Sequence, residues 1–409
     1  MAWCGFRTRG GFLLGMKNRV LLVGEPNARG FAKQRLEHFE AAIRGAGHAV
    51  EVVDAAAPLP DRVQADVVVS AGMYRPTTAA VRMAGERPLW IDLPGDPYAD
   101  AQAVIVRGGD ARAVAEDCAR VFTAALARAD AFSTIGNASR WSLIGQLGLL
   151  GRSAGPDQLP IHPIPIAWPA ADERGAATGA HSSAFERAAE RASGPIRVLL
   201  CGSFNTWFDD EAVAEVLCAA MARADVVVDV TGGPGQPGGY ERFVARMSRY
   251  PVQFHGWLPD PTPVIARSEV LLTLDRADVW EPGLGSRTRV LTARQAGLRV
   301  VASAGPEMID ALAGIGQLRA VRSRSDAVVA LLDRTSPPDP SPIAEMYAAN
   351  HIASPLLQWL EAPARAPAAD IAAPLERALQ AVERTEAELE HLRGTWAFKL
   401  GRMPFLGRP

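Results

Sequence analysis

Two apolar strand patterns, each followed by alternating helical and apolar segments, constrain this fold more than any other feature. Residues 19–24 read RVLLVG and residues 196–202 read IRVLLCG, and both runs end in glycine. Short apolar runs of this kind predict strands that are buried on both faces, as in a parallel sheet. Segments with helical spacing separate them from further apolar runs. The sequence therefore predicts an α/β protein with two parallel sheets covered by helices.

Shifts in composition indicate where the domains begin and end. Residues 17–152 hold the first series of strands, with HAVEVVD, ADVVVSAG, PLWIDLPGD and AFSTIG after the opening strand. Residues 153–195 are rich in Ala, Ser, Gly and Pro around one strand-like island, IHPIPIAW, and predict a linker region with a short strand. Residues 196–340 hold the second series, with DVVVDVTGG, VQFHGWL, EVLLTLD and RVVAS as strands. A closing helix over 341–360 and a helical tail over 361–409 with an amphipathic end complete the predicted organisation.

Composition narrows the classes of protein to which the chain can belong. Its 409 residues suffice for two domains with separate cores, and 48% hydrophobic with 22% charged residues is a globular balance. A net charge of −2 gives no electrostatic reason to expect nucleic acid as a partner. The four cysteines form no CxxC pair and no zinc-like spacing with histidine, so free thiols in a reducing cytoplasm are expected. No apolar run approaches the length of a membrane span.

The first residues, 1–16, predict a disordered leader. MAWCGFRTRGGFLLG is basic, has a very short apolar patch and lacks a small-residue cleavage pattern, so it does not predict a secretory signal. MKNRVLLVG begins at Met16 directly before the first strand, and the sequence leaves open whether Met1 or Met16 is the start. A cytoplasmic protein is expected.

The stretch EPGLGSRTRV at 281–290 carries the clearest functional signal. A carboxylate, two glycines, a serine and two arginines open what reads as a helix over 284–296. Amides at a helix start, together with the positive end of the helix dipole, bind anionic or hydroxyl-rich ligands. Glu281 can accept hydrogen bonds from sugar hydroxyls, while Arg287 and Arg289 can neutralise a diphosphate.

This stretch resembles the nucleotide-sugar loop of retaining GT-B glycosyltransferases of the family-4-like group, in which Glu-Pro-Gly or Glu-x-x-Gly opens a helix. A subset of that group also has Asn-Thr-Trp after the first strand of its second domain, as at 205–207, and a Gly-Ser-Arg loop, as at 285–287. The chain departs from the pattern at Arg289, where the group has a second glutamate. It also lacks the group's Arg and Lys near 201–213. The resemblance covers residues 17–335, although its specific motifs are confined to a few loops.

The resemblance implies the GT-B architecture, which consists of two Rossmann-like domains facing a central cleft, here followed by a C-terminal helical tail. It implies a hexosyltransferase-type enzyme of polysaccharide or glycoconjugate biosynthesis, with a nucleotide-diphosphate sugar as donor and a glycan, lipid or small molecule as acceptor. No metal and no further cofactor are expected. The residues that would bind the nucleotide sugar are Gly24, Asn205, Trp207, Gly256, Arg276, Gly283, Gly285, Ser286, Arg287 and Arg289.

The resemblance further assigns catalytic positions to Glu281 and Asp96. Asp96 lies in WIDLPGDPYADAQ, at a sheet edge that faces the donor sugar and the acceptor in GT-B enzymes, so it can orient the acceptor hydroxyl or stabilise an oxocarbenium-like transition state. The alternative for Asp96 is a turn with local Asx-type hydrogen bonds. Glu281 would hold donor hydroxyls.

Other candidates also have plain structural alternatives. Arg276 is either a diphosphate clamp or a surface ion pair with Asp275 or Asp278. The loop after Gly24 is either a cleft loop or a simple strand-to-helix turn. Asp209 and Asp210 resemble a metal-binding DxD motif, but the residues that follow favour a helix N-cap and first-turn charge.

Two other function classes stay open at this point. Arg289 and the missing Arg/Lys pair are also compatible with a GT-B-like subunit that has lost catalysis and serves as a partner or scaffold. A nucleotide-sugar epimerase of the same architecture would require more acid/base residues near the cleft.

Residues 372–409 allow two interpretations. A charge-laced helix with leucines is followed by TWAFKLGRMPFLGRP, which contains aromatic and basic residues. The segment is either a helix that packs on the body or on a partner, or an interfacial foot on an anionic membrane.

Overall fold

The computed structural model describes residues 17–28, 30–60, 64–152, 155, 158–168, 194–235 and 239–366, with residues 384, 385, 388, 389 and 391 of the tail. The predicted leader and most of the predicted tail helix lie outside the described residues. Within the described part, no helix combines the length and the apolar composition needed to cross a bilayer.

The first half of the molecule is a six-stranded sheet in the order β2-β1-β3-β4-β5-β6, and all its neighbouring strands are parallel. Its strands are β1 (Arg19–Gly24), β2 (Ala49–Asp54), β3 (Val67–Ser70), β4 (Leu89–Leu93), β5 (Ala131–Thr134) and β6 (Ile161–Pro163). Its helices are α1 (Phe31–Gly45), α2 (Arg75–Ala84), α3 (Pro97–Val106), α4 (Ala111–Arg128) and α5 (Asn137–Leu149). Separate apolar clusters cover the two faces of this sheet, as expected for strands buried on both sides.

The second half is another six-stranded parallel sheet, in the order β12-β11-β10-β7-β8-β9. Its strands are β7 (Ile196–Cys201), β8 (Val226–Thr231), β9 (Val252–Gly256), β10 (Val270–Thr273), β11 (Arg299–Ser303) and β12 (Arg319–Val321). Its helices are α6 (Asp210–Met221), α7 (Gly239–Met247), α8 (Thr262–Arg267), α9 (Glu281–Leu284), α10 (Thr288–Gln295), α11 (Glu307–Gly314) and α12 (Arg324–Leu332). The two predicted parallel sheets are therefore confirmed.

The strand-like island of the predicted linker belongs to the first half. Strand β6 pairs with β5 through Phe132 and Ile161, and Ile164 is fully buried in a core cluster of that sheet. Burial of these isoleucines outweighs the Pro-rich and Ala-rich composition around them. The chain passes to the second half after residue 168 through residues 169–193, which lie outside the described part.

The predicted closing helix over 341–360 is three short helices, α13 (Ser341–Met346), α14 (Ala349–Ile352) and α15 (Ser354–Glu361). The last of them does not stay with the second half. Leu356 and Leu360 are fully buried in a core cluster of the first sheet, and the Trp359 ring meets the Trp90 ring with centroids 5.4 Å apart. Thus the C-terminal part of the described chain completes the first half.

The two halves also contact each other directly. Helix α9 packs on α3 and α5, and Ala103 of α3 is buried in a core cluster of the second half. The Glu307 carboxylate of α11 accepts hydrogen bonds of 2.7 Å from both the backbone and the side-chain nitrogen of Asn137, at the start of α5. An acidic group at a helix N-terminus is favourable because it meets free amides and the positive end of the dipole.

Candidate active site at the cleft between the halves

A cleft of about 1900 Å³ lies between the two halves and is lined by both. Residues that follow the carboxyl ends of strands contribute to it from both sheets, including Glu25 after β1, Pro94 after β4 and Gly202 after β7. Ligands of open parallel sheets bind at this edge. The topology alone therefore makes this cleft the place to look for chemistry.

Two glycines allow the loops of the second half to pack closely at the base of the cleft. Gly202 has φ +101°, and a Cβ there would lie 2.9 Å from the Arg289 guanidinium nitrogen Nη2. Gly232 has φ +113°, and its Cβ would lie 2.1 Å from the Gly202 carbonyl oxygen. Both backbones adopt a conformation that favours glycine, and both need the missing side chain. At the base of the cleft, the backbone at Gly232 therefore packs on the backbone at Gly202, which in turn packs on the Arg289 side chain.

The stretch predicted as one helix over 284–296 is two helices with a break. Glu281 and Pro282 are buried in the single-turn helix α9, and α10 begins only at Thr288. The intervening loop turns at Gly285, where a Cβ would lie 3.1 Å from Arg287 Nη1 and 3.3 Å from Glu281 Oε1. Pro and Gly residues are poor helix formers, which explains the break. The break leaves the Glu281 carboxyl and the Arg287 guanidinium beside the same glycine.

A tryptophan and two arginines form the centre of the wall that the second half contributes. Trp207 is buried, and the guanidinium carbons of Arg287 and Arg289 lie 3.8 Å and 4.8 Å from its ring centroid. Such stacking holds a guanidinium in place through attraction to the face of the ring. The sequence predicted that Trp207 binds the nucleotide sugar, and in the structure its ring stacks with these two cations.

Arg287 is incompletely paired although only 2% of its surface is exposed. Its Nε lies 3.3 Å from each carboxylate oxygen of Asp275, and its Nη1 donates to the Ser286 carbonyl at 3.2 Å. Its Nη2 is buried and has no hydrogen-bond partner. A buried donor without a partner is costly, so this nitrogen is available to donate a hydrogen bond to a ligand oxygen.

Glu281 is the second incompletely paired group. Its side chain is 9% exposed, and Oε2 is buried without a hydrogen-bond partner. Burial raises the pKa of this carboxyl to about 8, against the opposing effect of the Arg287 guanidinium. Burial also lowers the pKa of the Arg289 guanidinium below its usual value. A protonated carboxyl beside two arginines makes this wall electropositive at neutral pH.

The first half contributes a carboxylate to the cleft that was not among the predicted site residues. Asp100 lines the cleft, and its Oδ2 accepts a hydrogen bond of 3.1 Å from the Tyr74 hydroxyl. Burial raises the pKa of Asp100 to about 6, while the bond from Tyr74 opposes that rise. The charge of Asp100 also raises the pKa of Glu281, and both carboxyls line the same cleft.

Asp96 occupies a different environment from the one its catalytic prediction requires. Its Oδ1 accepts from the backbone nitrogens of Tyr98 and Ala99 at 2.9 Å and 3.0 Å, as the N-cap of α3. Its Oδ2 accepts from the Ser142 hydroxyl and from Gln146 Nε2. Both oxygens are engaged, which supports the alternative of a local turn. An Asp followed by Pro is a sequence signal for a helix N-terminus, and it indicates that Asp96 caps α3. Asp100 lies one helical turn further along.

The remaining predicted residues divide between the cleft and its surroundings. Arg276 forms an ion pair with Asp278 through both Nε and Nη2, which is the surface alternative considered for it. The Asp209 carboxylate caps α6 through the Ala212 nitrogen at 2.9 Å, which confirms the predicted N-cap. Among the predicted residues, those lining the cleft are Asn205, Trp207, Glu281, Gly285, Ser286, Arg287 and Arg289. Those outside its lining are Gly24, Asp96, Gly256, Arg276 and Gly283.

Comparison with known proteins rests on structure, because no protein-family model matches the chain and no curated protein matches its sequence. HepE from Anabaena in complex with UDP-glucose superposes with a TM-score of 0.54 at 15% identity, covering 84% of this chain and 99% of HepE. A glycosyltransferase involved in avilamycin A biosynthesis gives a TM-score of 0.52 at 14% identity, covering 86% and 100% of the two chains. WaaG, a glycosyltransferase involved in lipopolysaccharide biosynthesis, gives 0.51 at 14% identity, covering 84% and 97%. The chain therefore adopts the GT-B fold, as its sequence predicted.

Proposed function

We propose that this protein is a glycosyltransferase that moves a sugar from a nucleotide-diphosphate donor to an acceptor hydroxyl. The observation that carries the proposal is the pair of buried, unpartnered polar atoms in the cleft, Arg287 Nη2 and Glu281 Oε2. A donor whose diphosphate reaches the first and whose sugar hydroxyl reaches the second would complete both.

The diphosphate is the natural partner of the two stacked guanidinium groups. Arg287 and Arg289 carry two positive charges, while Asp275 supplies one negative charge and Glu281 is largely protonated at neutral pH. The surplus positive charge favours an anion, and planar guanidinium groups bind phosphate oxygens in pairs. In the transfer, negative charge grows on the departing diphosphate, which is where these fixed cations act. The proposal needs no bound metal, because the arginines take that charge.

Glu281 is assigned to the sugar. A protonated carboxyl both donates and accepts a hydrogen bond, so it can hold one or two donor hydroxyls without repelling the nearby phosphates. Retention of the anomeric configuration is part of the proposal, supported by the resemblance to the family-4-like group. The HepE structure contains UDP-glucose, which favours a uridine nucleotide as the first donor to test.

The test is a binding comparison by calorimetry and thermal shift, using UDP, GDP, TDP and CMP sugars, the free diphosphates and the matching nucleosides. A bound ligand raises the apparent stability of the folded protein. We expect Arg287→Ala to weaken diphosphate binding about tenfold to a hundredfold, since a charged hydrogen bond is lost, with a smaller effect on nucleosides.

Two further variants calibrate that result. Arg246→Ala serves as the matched control because this arginine lies 4.0 Å from Glu215 and does not line the cleft. Arg276→Ala decides whether the clamp predicted at that position exists. If no nucleotide stabilises the protein, or if Arg287→Ala and Arg246→Ala behave alike, the donor site is absent and a partner or scaffold role becomes the better explanation.

A further inference from the structure

The wall that the first half contributes to the cleft contains a hydrogen-bonded pair, Tyr74 and Asp100. The Tyr74 hydroxyl donates to Asp100 Oδ2, and Asp100 Oδ1 accepts no hydrogen bond within the described structure. Tyr74 also packs edge-on against Phe122, with ring centroids 5.3 Å apart. The pair is therefore fixed from behind and presents one free carboxylate oxygen to the cleft.

The backbone at Tyr74 is strained. Its φ of +61° makes it the one non-glycine residue with positive φ among the described residues, and its ψ of −107° lies outside the left-handed helical region. A side chain in such a conformation costs on the order of 1–3 kcal/mol. Strain of this kind persists where the surroundings impose it, and here it aims the ring of Tyr74 across the start of α2 towards Asp100.

Around this pair, five apolar side chains line the wall, which also carries Lys33, Gln34, Thr78 and Arg82. Leu59, Met73, Val104, Val114 and Val121 all line the cleft and are only partly buried. Three of them, Leu59, Met73 and Val121, pack on the core of the first sheet with their inner surfaces. The nearby charges are largely turned to one another: Arg75 lies 3.8 Å from Glu25, and Arg120 lies 2.7 Å from Asp117. A free sugar would leave this surface unused, whereas an apolar ligand would cover it.

We infer that this wall is the acceptor site and that the acceptor is a hydroxyl carried on an apolar body, such as a phenol or a medium-chain alcohol, oriented by the Tyr74–Asp100 pair. This inference rests on the proposed glycosyltransferase function. Asp100 accepts the hydrogen bond of the acceptor hydroxyl, and Tyr74 fixes the carboxylate.

The chemical step balances without any further reactant. The bond between the anomeric carbon and the diphosphate oxygen breaks, and the bond between that carbon and the acceptor oxygen forms. The hydroxyl proton moves along its hydrogen bond to Asp100 Oδ1 as the new bond forms and is then released to the departing diphosphate, so Asp100 is unchanged at the end. Asp100 is catalytic in the sense that it touches the reacting hydroxyl.

The experiment measures three quantities for each protein: the dissociation constant of the nucleoside diphosphate, donor hydrolysis without acceptor, and transfer to a panel of acceptors. The donor is the nucleotide sugar that most stabilises the wild-type protein. The panel holds 4-nitrophenol, naphthol and octanol on one side, and glucose, maltose and glycerol on the other. We expect the apolar alcohols to raise turnover above hydrolysis and the sugars to leave it unchanged.

Asp100→Asn should lower transfer about tenfold to a hundredfold, because a charged hydrogen bond to the acceptor is lost, while diphosphate binding stays within about twofold. Tyr74→Phe should lower transfer by roughly threefold to tenfold, as expected for a neutral hydrogen bond. Val121→Thr should raise the KM of the apolar acceptors with little change in kcat. Asp66→Asn is the matched control, since Asp66 is an exposed carboxylate of the first half that pairs with Arg19 and does not line the cleft.

Several results would overturn the inference while leaving the proposed function intact. These are better transfer to free sugars than to the apolar alcohols, equal losses in Asp100→Asn and Asp66→Asn, or a loss of diphosphate binding in Asp100→Asn that matches its loss of transfer. Absence of any nucleotide binding in the wild-type protein would instead contradict the proposed function itself.

Discussion

Each half of the molecule buries an arginine against an aspartate, and the two pairs differ in how completely they are satisfied. In the first half, Arg35 Nε and Nη2 bond to the two oxygens of Asp92 at 3.0 Å and 2.7 Å, and Nη1 donates to the Pro165 carbonyl at 2.8 Å. In the second half, Arg287 reaches Asp275 only at 3.3 Å and leaves Nη2 without a partner. Both arginines are 2% exposed.

The difference in hydrogen bonding between the Arg35–Asp92 and Arg287–Asp275 pairs indicates that they have different roles. A buried ion pair that is fully hydrogen-bonded inside the protein holds elements together, here α1, β4 and the segment after β6. A buried cation that lacks a hydrogen-bond partner has lost its hydration without regaining an equivalent interaction. Such an unfavourable arrangement is expected where a ligand supplies the missing hydrogen bond. Both arginines are equally buried, so the unpartnered nitrogen, and not burial, distinguishes the arginine that we propose binds a ligand from the structural one.

The largest expected effect is on stability, at Arg35. Arg35→Ala should lower the free energy of unfolding by about 3–5 kcal/mol, because Asp92 would remain buried and charged without its partner. Arg287→Ala should cost clearly less, since its pairing is long and incomplete. Urea titration of both variants measures the difference, and equal losses would contradict the distinction between the two arginines.

The next effect is on turnover, at Arg287. Replacement by Ala should lower kcat/KM about a hundredfold to a thousandfold, the usual result of removing a group that stabilises charge in the transition state. Arg287→Lys should recover part of the loss, because it restores the charge without the planar fork. Initial rates with the selected donor measure both, and wild-type rates for the Ala variant would remove Arg287 from the site.

A third effect is a pH dependence at Glu281. Its folded-state pKa of about 8 exceeds the ordinary value of 4.5, so the folded protein holds a proton that the unfolded chain releases between these values. Wild-type stability should therefore fall, relative to Glu281→Gln, as pH rises from 4.5 to 8 and stay at its lower level above that. Each unit of pKa difference corresponds to about 1.4 kcal/mol. Melting temperatures at pH 5 and pH 9 test this, and parallel curves for the two proteins would show that the Glu281 carboxyl is not perturbed.

The smallest effect is expected at Asp96. Asp96→Ala removes the N-cap of α3 and should cost about 1 kcal/mol of stability, with kcat/KM within about twofold of wild type. Chemical unfolding and initial rates give both numbers. A tenfold loss of turnover with unchanged donor binding would instead support the catalytic role predicted from the sequence.

The strands were predictable because burial on both faces leaves a continuous apolar run in the sequence. Strand β12 was not predicted, since Arg319–Val321 is short, lies at the sheet edge and carries little apolar signal. Strand β6 was read as part of a linker because prolines and alanines surround it. In both cases the pairing partner, which is distant in sequence, decides the structure.

The site was predictable only in part. The residue types at Glu281 and Arg287 predicted a site for an anion or a sugar, and both side chains line the cleft in the structure. Asp96 is engaged as the N-cap of α3, which leaves Asp100 as the carboxylate in the cleft. The hydrogen bonds that Ser142 and Gln146 donate to Asp96 come from another helix and have no local sequence pattern. Likewise, the stacking of Arg289 on Trp207 joins loops that are far apart in sequence. Such contacts follow from tertiary packing and leave no local pattern.

The return of α15 to the first sheet has a consequence for how the chain acquires its fold. During synthesis, β1 to β6 leave the ribosome long before residues 354–361, yet Leu356, Leu360 and Trp359 cover the face of the sheet that contains Trp90. Until they arrive, the part of that apolar face that α1 does not cover stays open to water or to other chains. Contacts of such large sequence separation slow folding, because the intervening loop must close before they form. The half of the molecule that is synthesised first is therefore completed last. A chain truncated before residue 354 would keep part of that apolar face exposed and would be prone to aggregate.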